Sequence, residues 1–256
     1  MSKIFAISNQ KGGVGKTTTA INLSAAVAAK CRRVLLIDLD PQGNSTSGLG
    51  IDKKADFLNI YHVLIENLPT EQAIRNTNIS ELKLLPSGIS LAGAEVEMVD
   101  LKNREYILKN ALSPILSNYD YIFIDCPPSL SILTLNALTA AHAVIVPIQC
   151  EFFALEGLGQ LMNTVKLVKQ HLNSDLQIDG VICTMFDSRT NLSAQVVEEV
   201  KRFFSSKVYG TAIPRNIRLA EAPSYGLPIE MFDSKSSGAS AYRDLAEEFL
   251  QRNEQF

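Results

Sequence analysis

The sequence predicts an α/β fold, a single domain in which a mostly parallel, twisted sheet is flanked by helices. Several short apolar runs are continuous rather than alternating, as in parallel strands that are buried on both faces. Helical patterns alternate with these runs along the chain, which is typical of helices covering both sides of a sheet. The 256 residues suffice for one domain with a substantial core, and no repeat, low-complexity tract or linker divides residues 1–256.

The first predicted strand, over 4–7, leads into a glycine-rich turn and then into the start of a helix. The turn reads Lys-Gly-Gly-Val-Gly-Lys-Thr-Thr over residues 11–18. A turn of this kind points successive backbone N–H groups inward, and the helix N-terminus adds a partial positive charge. The pattern therefore predicts a polyphosphate cradle, in which Lys16 reaches the β- and γ-phosphates and the Thr17 hydroxyl holds Mg²⁺.

One position of this loop departs from the usual phosphate-loop pattern. The first glycine of that pattern falls at position 10, which is Gln10 here, and a second lysine, Lys11, stands beside it. A cation at this place suits a phosphate that is reached from outside the loop, for example across a dimer interface. From spacing alone, a solvated loop lysine is an equal alternative.

Two further buried strands end in carboxylates. The run over 33–38 ends at Asp38 and continues to Asp40, and the run that starts at 121 ends at Asp125 before two prolines. Open α/β sheets carry ligands at the carboxyl ends of their strands. We therefore expect Asp38 and Asp40 near the phosphates, with Asp40 in a position to orient or deprotonate an attacking water. Asp125 is expected to hold Mg²⁺.

The rest of the chain continues the alternation of helix and strand. Helices are predicted over 17–29, 57–65, 69–75, 103–116 (broken near Pro114), 153–172 and 239–252. Strands are predicted over 82–85, 143–148, 178–184 and 208–213, with Pro147 marking the end of its strand. The helix over 153–172 is the clearest, because six residues recur at helical spacing: Leu155, Leu158, Leu161, Val165, Val168 and Leu172.

Composition narrows the possible functions. The four cysteines have no metal-ligand spacing, which argues against an iron–sulfur site. No apolar run approaches the ~20 residues that span a bilayer. The amino terminus leads straight into the first strand without a signal-peptide pattern, so a cytoplasmic protein is expected. No helix-turn-helix pattern precedes the first strand, so sequence-specific operator binding is not expected.

Net charge gives only weak evidence for nucleic-acid binding. The whole chain carries −3, but residues 189–218 contain six Lys or Arg and two acidic residues, a local balance of +4. From charge alone, ordinary charged helix surface is the favoured explanation of this balance. A weak patch doubled by dimerisation would suit loose, salt-sensitive contact with phosphates.

Five segments resemble the deviant Walker A ATPases of the ParA/MinD group, and within it the ParA/Soj partitioning ATPases. They are residues 11–18, 38–44 (Asp-Leu-Asp-Pro-Gln-Gly-Asn), 124–130 (Ile-Asp-Cys-Pro-Pro-Ser-Leu), 185–190 (Met-Phe-Asp-Ser-Arg-Thr) and 213–224 (Ile-Pro-Arg-Asn-Ile-Arg-Leu-Ala-Glu-Ala-Pro-Ser). The resemblance extends over essentially the whole chain. It implies an Mg²⁺-dependent ATPase that forms an ATP-bound homodimer and binds double-stranded DNA non-specifically. It also implies hydrolysis stimulated by a ParB-like partner, and association with the nucleoid in the ATP state.

The resemblance assigns roles to particular residues. Lys11 is similar to the lysine that contacts the nucleotide of the opposite subunit, and Asp40 to the catalytic aspartate. The resemblance also implies that Asp38 and Asp125 lie near the metal ion, which Thr17 contacts. The other implied nucleotide contacts are Gly12, Gly13, Val14, Gly15, Lys16, Thr17 and Thr18 at the phosphates and Pro214 and Asn216 at the adenine. Arg189 and Arg218 match DNA-binding arginines. Leu227 stands where relatives often have lysine, so one basic contact is lost there.

Two other functions remain to be weighed. A membrane-cycling ATPase of the MinD kind needs a basic amphipathic C-terminal helix. Residues 241–256 instead carry Asp244, Glu247, Glu248 and Glu254 against two arginines, a balance that anionic lipid repels. A binding module that uses ATP only as a structural ligand would not need Asp40.

Overall fold

A seven-stranded sheet forms the centre of the computed structural model, in which residues 2–53, 57–151 and 156–254 are described. The strands are β1 (Lys3–Ile7), β2 (Val34–Asp38), β3 (Arg75–Asn76), β4 (Leu82–Leu85), β5 (Tyr121–Asp125), β6 (Ala143–Gln149) and β7 (Gln177–Thr184). Their order across the sheet is β3-β4-β2-β5-β1-β6-β7. All neighbours are parallel except the short edge pair β3 and β4. The predicted α/β class with a mostly parallel sheet is confirmed.

Helices and short 3-10 turns connect the strands. The α-helices are α1 (Lys16–Ala28), α2 (Asn44–Gly48), α3 (Ile60–Ile65), α4 (Thr70–Ala73), α5 (Leu91–Glu97), α6 (Ile107–Leu112), α7 (Ile132–Ala140), α8 (Glu156–His171), α9 (Asn191–Phe204), α10 (Ile217–Glu221), α11 (Ile229–Phe232) and α12 (Ser237–Asn253). The 3-10 turns are Met98–Asp100, Arg104–Tyr106, Ser113–Asn118, Ser205–Lys207 and Ala222–Tyr225. The predicted break near Pro114 is confirmed, because a 3-10 turn follows α6 there.

Each face of the sheet has its own apolar core, because successive strand residues point to opposite sides. Phe5 and Ile7 of β1 belong to the core that includes α1 and α12, and Ile4 and Ala6 belong to the core on the opposite face. Phe5 packs edge-on against Phe249 of α12, with 4.9 Å between ring centroids. The C-terminal helix is thereby held against the strand that enters the glycine-rich loop.

Pro147 does not end its strand, contrary to the sequence prediction. β6 continues to Gln149 and remains paired with β7, with Pro147 opposite Ile182. On its other side β6 pairs with β1 only over Ala143–Ile145. Proline lacks an N–H, but β1 has already ended beside it, so no ladder hydrogen bond is lost. The Pro147 carbonyl accepts instead from Asn9 Nδ2 at 2.8 Å.

Two other predicted elements are shorter or less regular in the structure. The helix predicted over 69–75 ends at Ala73, and Arg75 already belongs to the antiparallel edge strand β3. The strand predicted over 208–213 is reduced to isolated bridges. The backbone N–H groups of Gly210 and Thr211 donate to the Glu248 carboxylate of α12 rather than to β7, which interrupts the ladder. The start of the helix predicted over 153–172, with Leu155, lies outside the described residues.

Candidate nucleotide site

The glycine-rich loop lies between β1 and α1, as the sequence predicts. Gly13 and Gly15 have φ values of 75° and 88°, in the left-handed region that favours glycine. The loop is held from both sides: Thr184 of β7 donates to the Val14 carbonyl at 2.8 Å, and Asn9 Oδ1 accepts from the Lys11 N–H at 3.0 Å. These contacts fix a loop that opens towards the N-terminus of α1.

The two lysines of the loop have different surroundings. Lys16 is 7% exposed, and its ammonium donates to the Lys11 carbonyl at 3.0 Å. Burial lowers the pKa of Lys16, and the nearby carboxylates of Asp125 and Asp40 act in the opposite direction. The Lys11 ammonium, by contrast, has no hydrogen bond or ion pair within the part of the chain that the structure describes.

Asp38 and Asp125 face each other at the ends of adjacent parallel strands. They are register partners of β2 and β5, and both side chains are fully buried. Asp38 Oδ2 accepts from the N–H and the hydroxyl of Thr46, both at 2.7 Å. Asp125 Oδ2 accepts from Ser45 Oγ at 2.8 Å. Burial, and then the charge of Asp38, raises the pKa of Asp125, while the hydroxyls of Ser45 and Thr17 act to lower it.

This arrangement suits a magnesium ion near Asp125. Asp125 Oδ1 is buried and has no hydrogen-bond partner among the described residues. No group of three His, Cys, Asp or Glu converges on a point in the described ranges. Magnesium commonly takes one or two carboxylates together with waters and substrate phosphates, so a full protein cage is not needed. Asp125 and Thr17 fit such a site directly, whereas both oxygens of Asp38 already accept hydrogen bonds from α2 and from the Asp40 N–H.

Asp40 lies at the wall of the phosphate cavity. It is 8% exposed and lines a cavity of about 360 Å³ together with Gly12, Gly13, Lys16 and Thr17. Its Oδ1 accepts from the Gln42 N–H at 2.9 Å. Its carbonyl accepts from the buried hydroxyl of Ser87 at 2.8 Å. The carboxylate thus faces the space for phosphates, while the backbone behind it is held in place.

A second cavity of about 580 Å³ adjoins the first. The two share Gly15, Thr18 and Met185 in their walls, and the second is closed by apolar side chains. These apolar side chains are Ile213, Ile217, Leu219, Ala220 and Tyr242. Asn216 lines this cavity as expected, although its Oδ1 also caps α10 by accepting from the Arg218 N–H at 2.7 Å. A mostly apolar wall beside a phosphate site has the character of a pocket for a nucleotide base.

Pro214 and Val14 are two of the residues that the resemblance assigns to nucleotide contacts. Neither is among the described residues that line the two cavities. Pro214 forms an isolated parallel bridge with Phe186, and Val14 is buried. Both hold the walls of the site through their backbones.

The two arginines assigned to DNA lie on the surface, and each is paired with carboxylates. Arg189 Nε and Nη2 donate to both oxygens of Asp187, at 2.9 and 2.7 Å. This contact lowers the pKa of Asp187 to about 2. Arg218 lies 2.9 Å from Glu221 and 3.4 Å from Asp233. All three partners, Asp187, Glu221 and Asp233, lie outside residues 189–218. The local balance of +4 therefore overstates the charge of this surface.

Several residues of the site have no role in the sequence analysis. Ser45 and Thr46 directly follow the segment 38–44, and their hydroxyls hold the two buried carboxylates. Ser87 follows β4, the neighbour of β2, and its position at a strand end is the only signal for it. Its N–H donates to Thr46 Oγ1 at 2.8 Å, so Asp38, Thr46, Ser87 and Asp40 form one buried network.

No helix within the described residues has the length and apolar character needed to cross a bilayer. The apolar face of α12 is buried against the sheet and α1. Tyr242, Leu245 and Phe249 on that face are at most 2% exposed. The hydroxyls of Tyr242 and Thr19 lie 3.2 Å apart, which joins α12 to the first turn of α1.

Comparisons with known proteins identify the family of the chain. A family model described as "AAA domain" matches residues 2–178. The sporulation initiation inhibitor protein Soj of Bacillus subtilis is 57% identical, over 97% of this chain and 98% of its own. The chromosome partitioning protein ParA of Myxococcus xanthus is 52% identical, over 99% of this chain and 89% of its own.

A solved structure shares the fold at full length. It is that of a Mycobacterium smegmatis protein named cobyrinic acid a,c-diamide synthase, with a bound ATP analogue and magnesium. The two chains are 41% identical with a TM-score of 0.88, and the similarity covers 100% of this chain and 97% of the other.

Proposed function

The chain belongs to the Soj/ParA family of partitioning ATPases, and we propose that it acts as an ATP-dependent DNA-partitioning switch. In this proposal, Mg²⁺ and ATP join two copies into a sandwich dimer. The dimer binds double-stranded DNA without sequence preference, and a ParB-like partner stimulates hydrolysis and release. The protein would be cytoplasmic and associated with the nucleoid while ATP is bound.

The observation that carries the proposal is the contrast between the two loop lysines. Lys16 is buried within its own loop, as expected of a contact with the nucleotide of the same subunit. Lys11 is half-buried beside that loop, and its ammonium lacks a partner in the described residues. A cation kept free next to a phosphate site is available to the triphosphate of a second copy. The triphosphate then stabilises the closed dimer through a contact that the monomer lacks.

The residues around the cavities divide the work of hydrolysis. Lys16 and the loop N–H groups hold the phosphates, and Thr17 with Asp125 would hold Mg²⁺, which neutralises charge on the phosphates when bound. Asp40 accepts a proton from the water that attacks the γ-phosphorus, and the products are ADP and phosphate. Hydrolysis by the protein alone is expected to be slow, because the stimulating contact comes from the partner.

Arg189 and Arg218 are the proposed contacts with DNA phosphates. Both are exposed, and ion pairs at an exposed surface contribute little to stability because solvent screens them. A DNA phosphate can therefore displace Asp187 or Glu221 from its arginine at small cost. Binding through such contacts is expected to weaken steeply with salt.

A membrane-cycling ATPase is the weaker alternative. That function needs a C-terminal helix whose apolar face is free to enter a bilayer surface. The apolar face of α12 is buried in the core instead, and Glu247 and Glu254 pair with Lys30 and Arg32 of the same subunit. These observations weigh against release of the helix to a membrane.

Light scattering on hydrolysis-deficient protein tests the proposal. Asp40→Ala is expected to reduce turnover by roughly a hundredfold or more and to elute as a dimer with ATP and Mg²⁺ but as a monomer with ADP. Lys11→Ala in the same background is expected to bind ATP and stay monomeric. Lys102→Ala, on an exposed loop, is the matched lysine control and is expected to dimerise. An Asp40→Ala protein that remains monomeric when saturated with ATP and Mg²⁺ contradicts the proposal.

A further inference from the structure

Asn9 lies between β1 and the glycine-rich loop, and it uses both ends of its side-chain amide. The residue is buried, at 3% exposure. Its Nδ2 donates to the Pro147 carbonyl of β6 at 2.8 Å, and its Oδ1 accepts from the Lys11 N–H at 3.0 Å. Because a carbonyl only accepts and an N–H only donates, the two partners fix which end of the amide faces which. Asn9 therefore ties the first lysine of the loop to β6.

The contact with Pro147 continues the pairing between β1 and β6 after the backbone of β1 has turned away. The Ser8 N–H donates to the Ile145 carbonyl at 3.1 Å, and the Pro147 carbonyl is the next acceptor of β6 that is used on this side. Proline has no N–H, so the turn into the loop leaves no donor of Pro147 unpaired. The Asn9 amide supplies the one hydrogen bond that is needed here.

The backbone of Lys11 is held while its side chain remains available. Asn9 accepts its N–H, and the Lys16 ammonium donates to its carbonyl at 3.0 Å. In the proposed function the Lys16 ammonium turns to the phosphates when ATP binds, which removes the second of these contacts. Across residues 2–53, 57–151 and 156–254, Asn9 is then the side chain that still bonds the Lys11 backbone.

A held backbone favours a contact between two copies. A lysine that is already fixed at its backbone loses less conformational freedom when its ammonium binds a phosphate than a lysine on a free loop does. Asn9 is not among the described residues that line the phosphate cavity. Its effect is therefore expected on the contact that Lys11 makes, and not on the ATP that its own subunit binds.

We propose that Asn9 is a positioning residue, which fixes the Lys11 backbone to β6 so that the Lys11 ammonium meets the triphosphate of a second copy. This inference rests on the proposed function, because it assumes the contact of Lys11 across the dimer. It adds a residue on which dimerisation depends and which acts through Lys11 rather than through ATP.

Asn9→Ala in the Asp40→Ala background tests the inference, since ATP is then not consumed. The dissociation constant of the dimer with ATP and Mg²⁺ is measured by light scattering over a series of protein concentrations. It is expected to rise roughly tenfold, because each dimer holds the contact twice. The affinity of dilute, monomeric protein for a fluorescent ATP analogue is expected to stay within about twofold. A residue that merely shaped the phosphate loop would change both quantities.

Asn9→Ser is the conservative variant. A serine hydroxyl accepts the N–H two residues further along more weakly than an asparagine does, and the amide donor to Pro147 is lost. The dissociation constant of the dimer is expected to rise by about threefold, between the values of the parent and of Asn9→Ala. Because the turn is kept, this variant supplies the measurement even if Asn9→Ala does not fold.

Asn173→Ala is the matched control for the loss of a buried amide. Asn173 is 8% exposed and lies away from the loop, after α8. Its Nδ2 donates at 3.0, 3.1 and 2.7 Å to the carbonyls of Leu138, Thr139 and Ala141. The control is expected to lower the melting temperature at least as much as Asn9→Ala, with the dissociation constant of the dimer within about twofold of the parent. An equal weakening of the dimer by Asn173→Ala overturns the inference, because the effect is then one of general stability.

The remaining outcomes separate this inference from the proposed function. If the Asp40→Ala parent dimerises with ATP and the Asn9 variants dimerise equally well, the positioning role is wrong and the switch stands. If the Asn9 variants lose ATP affinity and dimerisation in the same proportion, Asn9 serves the nucleotide of its own subunit, which also overturns the inference. If the parent itself does not dimerise, the proposed function fails, and the role of Asn9 fails with it.

Discussion

The carboxyl edge of the sheet and the surface over residues 185–221 both collect charged residues, but they hold them differently. At the sheet edge Asp38 and Asp125 are fully buried, and hydroxyls of α2 hold their oxygens. On the surface Arg189 and Arg218 point to solvent and pair with nearby carboxylates. Buried charges are costly unless they are partnered, whereas exposed pairs form and break at little cost.

The difference indicates which charges are fixed in place and which are exchangeable. The buried network has a defined geometry before nucleotide arrives, and hydrolysis needs that geometry. The exposed arginines keep their charge available to a polyanion in any orientation, as non-specific DNA binding requires. Substitutions in the two regions are therefore expected to differ in the size of their effects.

The largest effect is expected from Lys16→Ala. This change removes the buried ammonium from the loop, and a charge-assisted contact contributes roughly 1.5–3 kcal/mol. ATP binding is expected to weaken by at least about tenfold to a hundredfold in isothermal titration calorimetry. Lys11→Ala is the matched control, and its monomer is expected to bind ATP with nearly unchanged affinity. Equal ATP affinity in the Lys16→Ala and wild-type proteins would remove Lys16 from its assigned role.

Asp125→Asn is expected to have an intermediate effect. It should raise the stability of the protein and lower its activity. Burial and the charge of Asp38 raise the folded-state pKa of Asp125 above its unfolded value. The native state then binds more protons than the unfolded state, so the free energy of unfolding falls as pH rises above about 4. Without nucleotide, Asp125→Asn is expected to be more stable at neutral pH by about 1 to 2 kcal/mol, with a weaker pH dependence. Hydrolysis with Mg²⁺ is expected to be strongly reduced.

Thermal unfolding from pH 5 to pH 8 measures this effect, with Asp120→Asn as the exposed control. Asp120 pairs with Arg33 at the surface, and Arg33 lowers its pKa, so its replacement is not expected to stabilise the protein. A less stable Asp125→Asn protein at pH 8 contradicts the interpretation of Asp125 as a buried carboxylate whose charge destabilises the folded state.

The smallest effects are expected at the exposed arginines. Arg189→Ala is expected to make the plot of log binding constant against log salt concentration less steep. The expected change corresponds to about one released counterion for each protomer. Asp187→Asn removes the competing carboxylate and is expected to strengthen DNA binding by up to about fivefold. Fluorescence anisotropy at two salt concentrations measures both. Arg189→Glu combined with Arg218→Glu is expected to lose DNA binding while ATP-dependent dimerisation persists; retention of full DNA binding excludes this surface.

Local patterns determined much of the fold and of the site. The glycines of the loop, the two strands that end in aspartate and the helix over 239–252 depend on neighbours a few residues away, and all of them appear where the sequence predicts. The phosphate loop is one contiguous segment, so its geometry is set by its own backbone and by the helix that follows. Asp38, Asp40 and Asp125 meet because carboxyl ends of parallel strands share one edge.

Contacts between distant segments decided the rest. Pro147 stays inside its strand because β1 has ended beside it. The run over 208–213 does not pair fully because Glu248 of α12 accepts the N–H groups of Gly210 and Thr211, although Tyr209 and Ile213 still donate to β7. The positive balance of residues 189–218 is offset by acids outside that window. Ser87 holds Asp40 from 47 positions away. Hydrogen bonds and ion pairs of this kind depend on distance in space, which a local sequence pattern does not specify. Backbone conformation and burial, by contrast, follow from neighbouring residues and from the spacing of apolar residues along the chain.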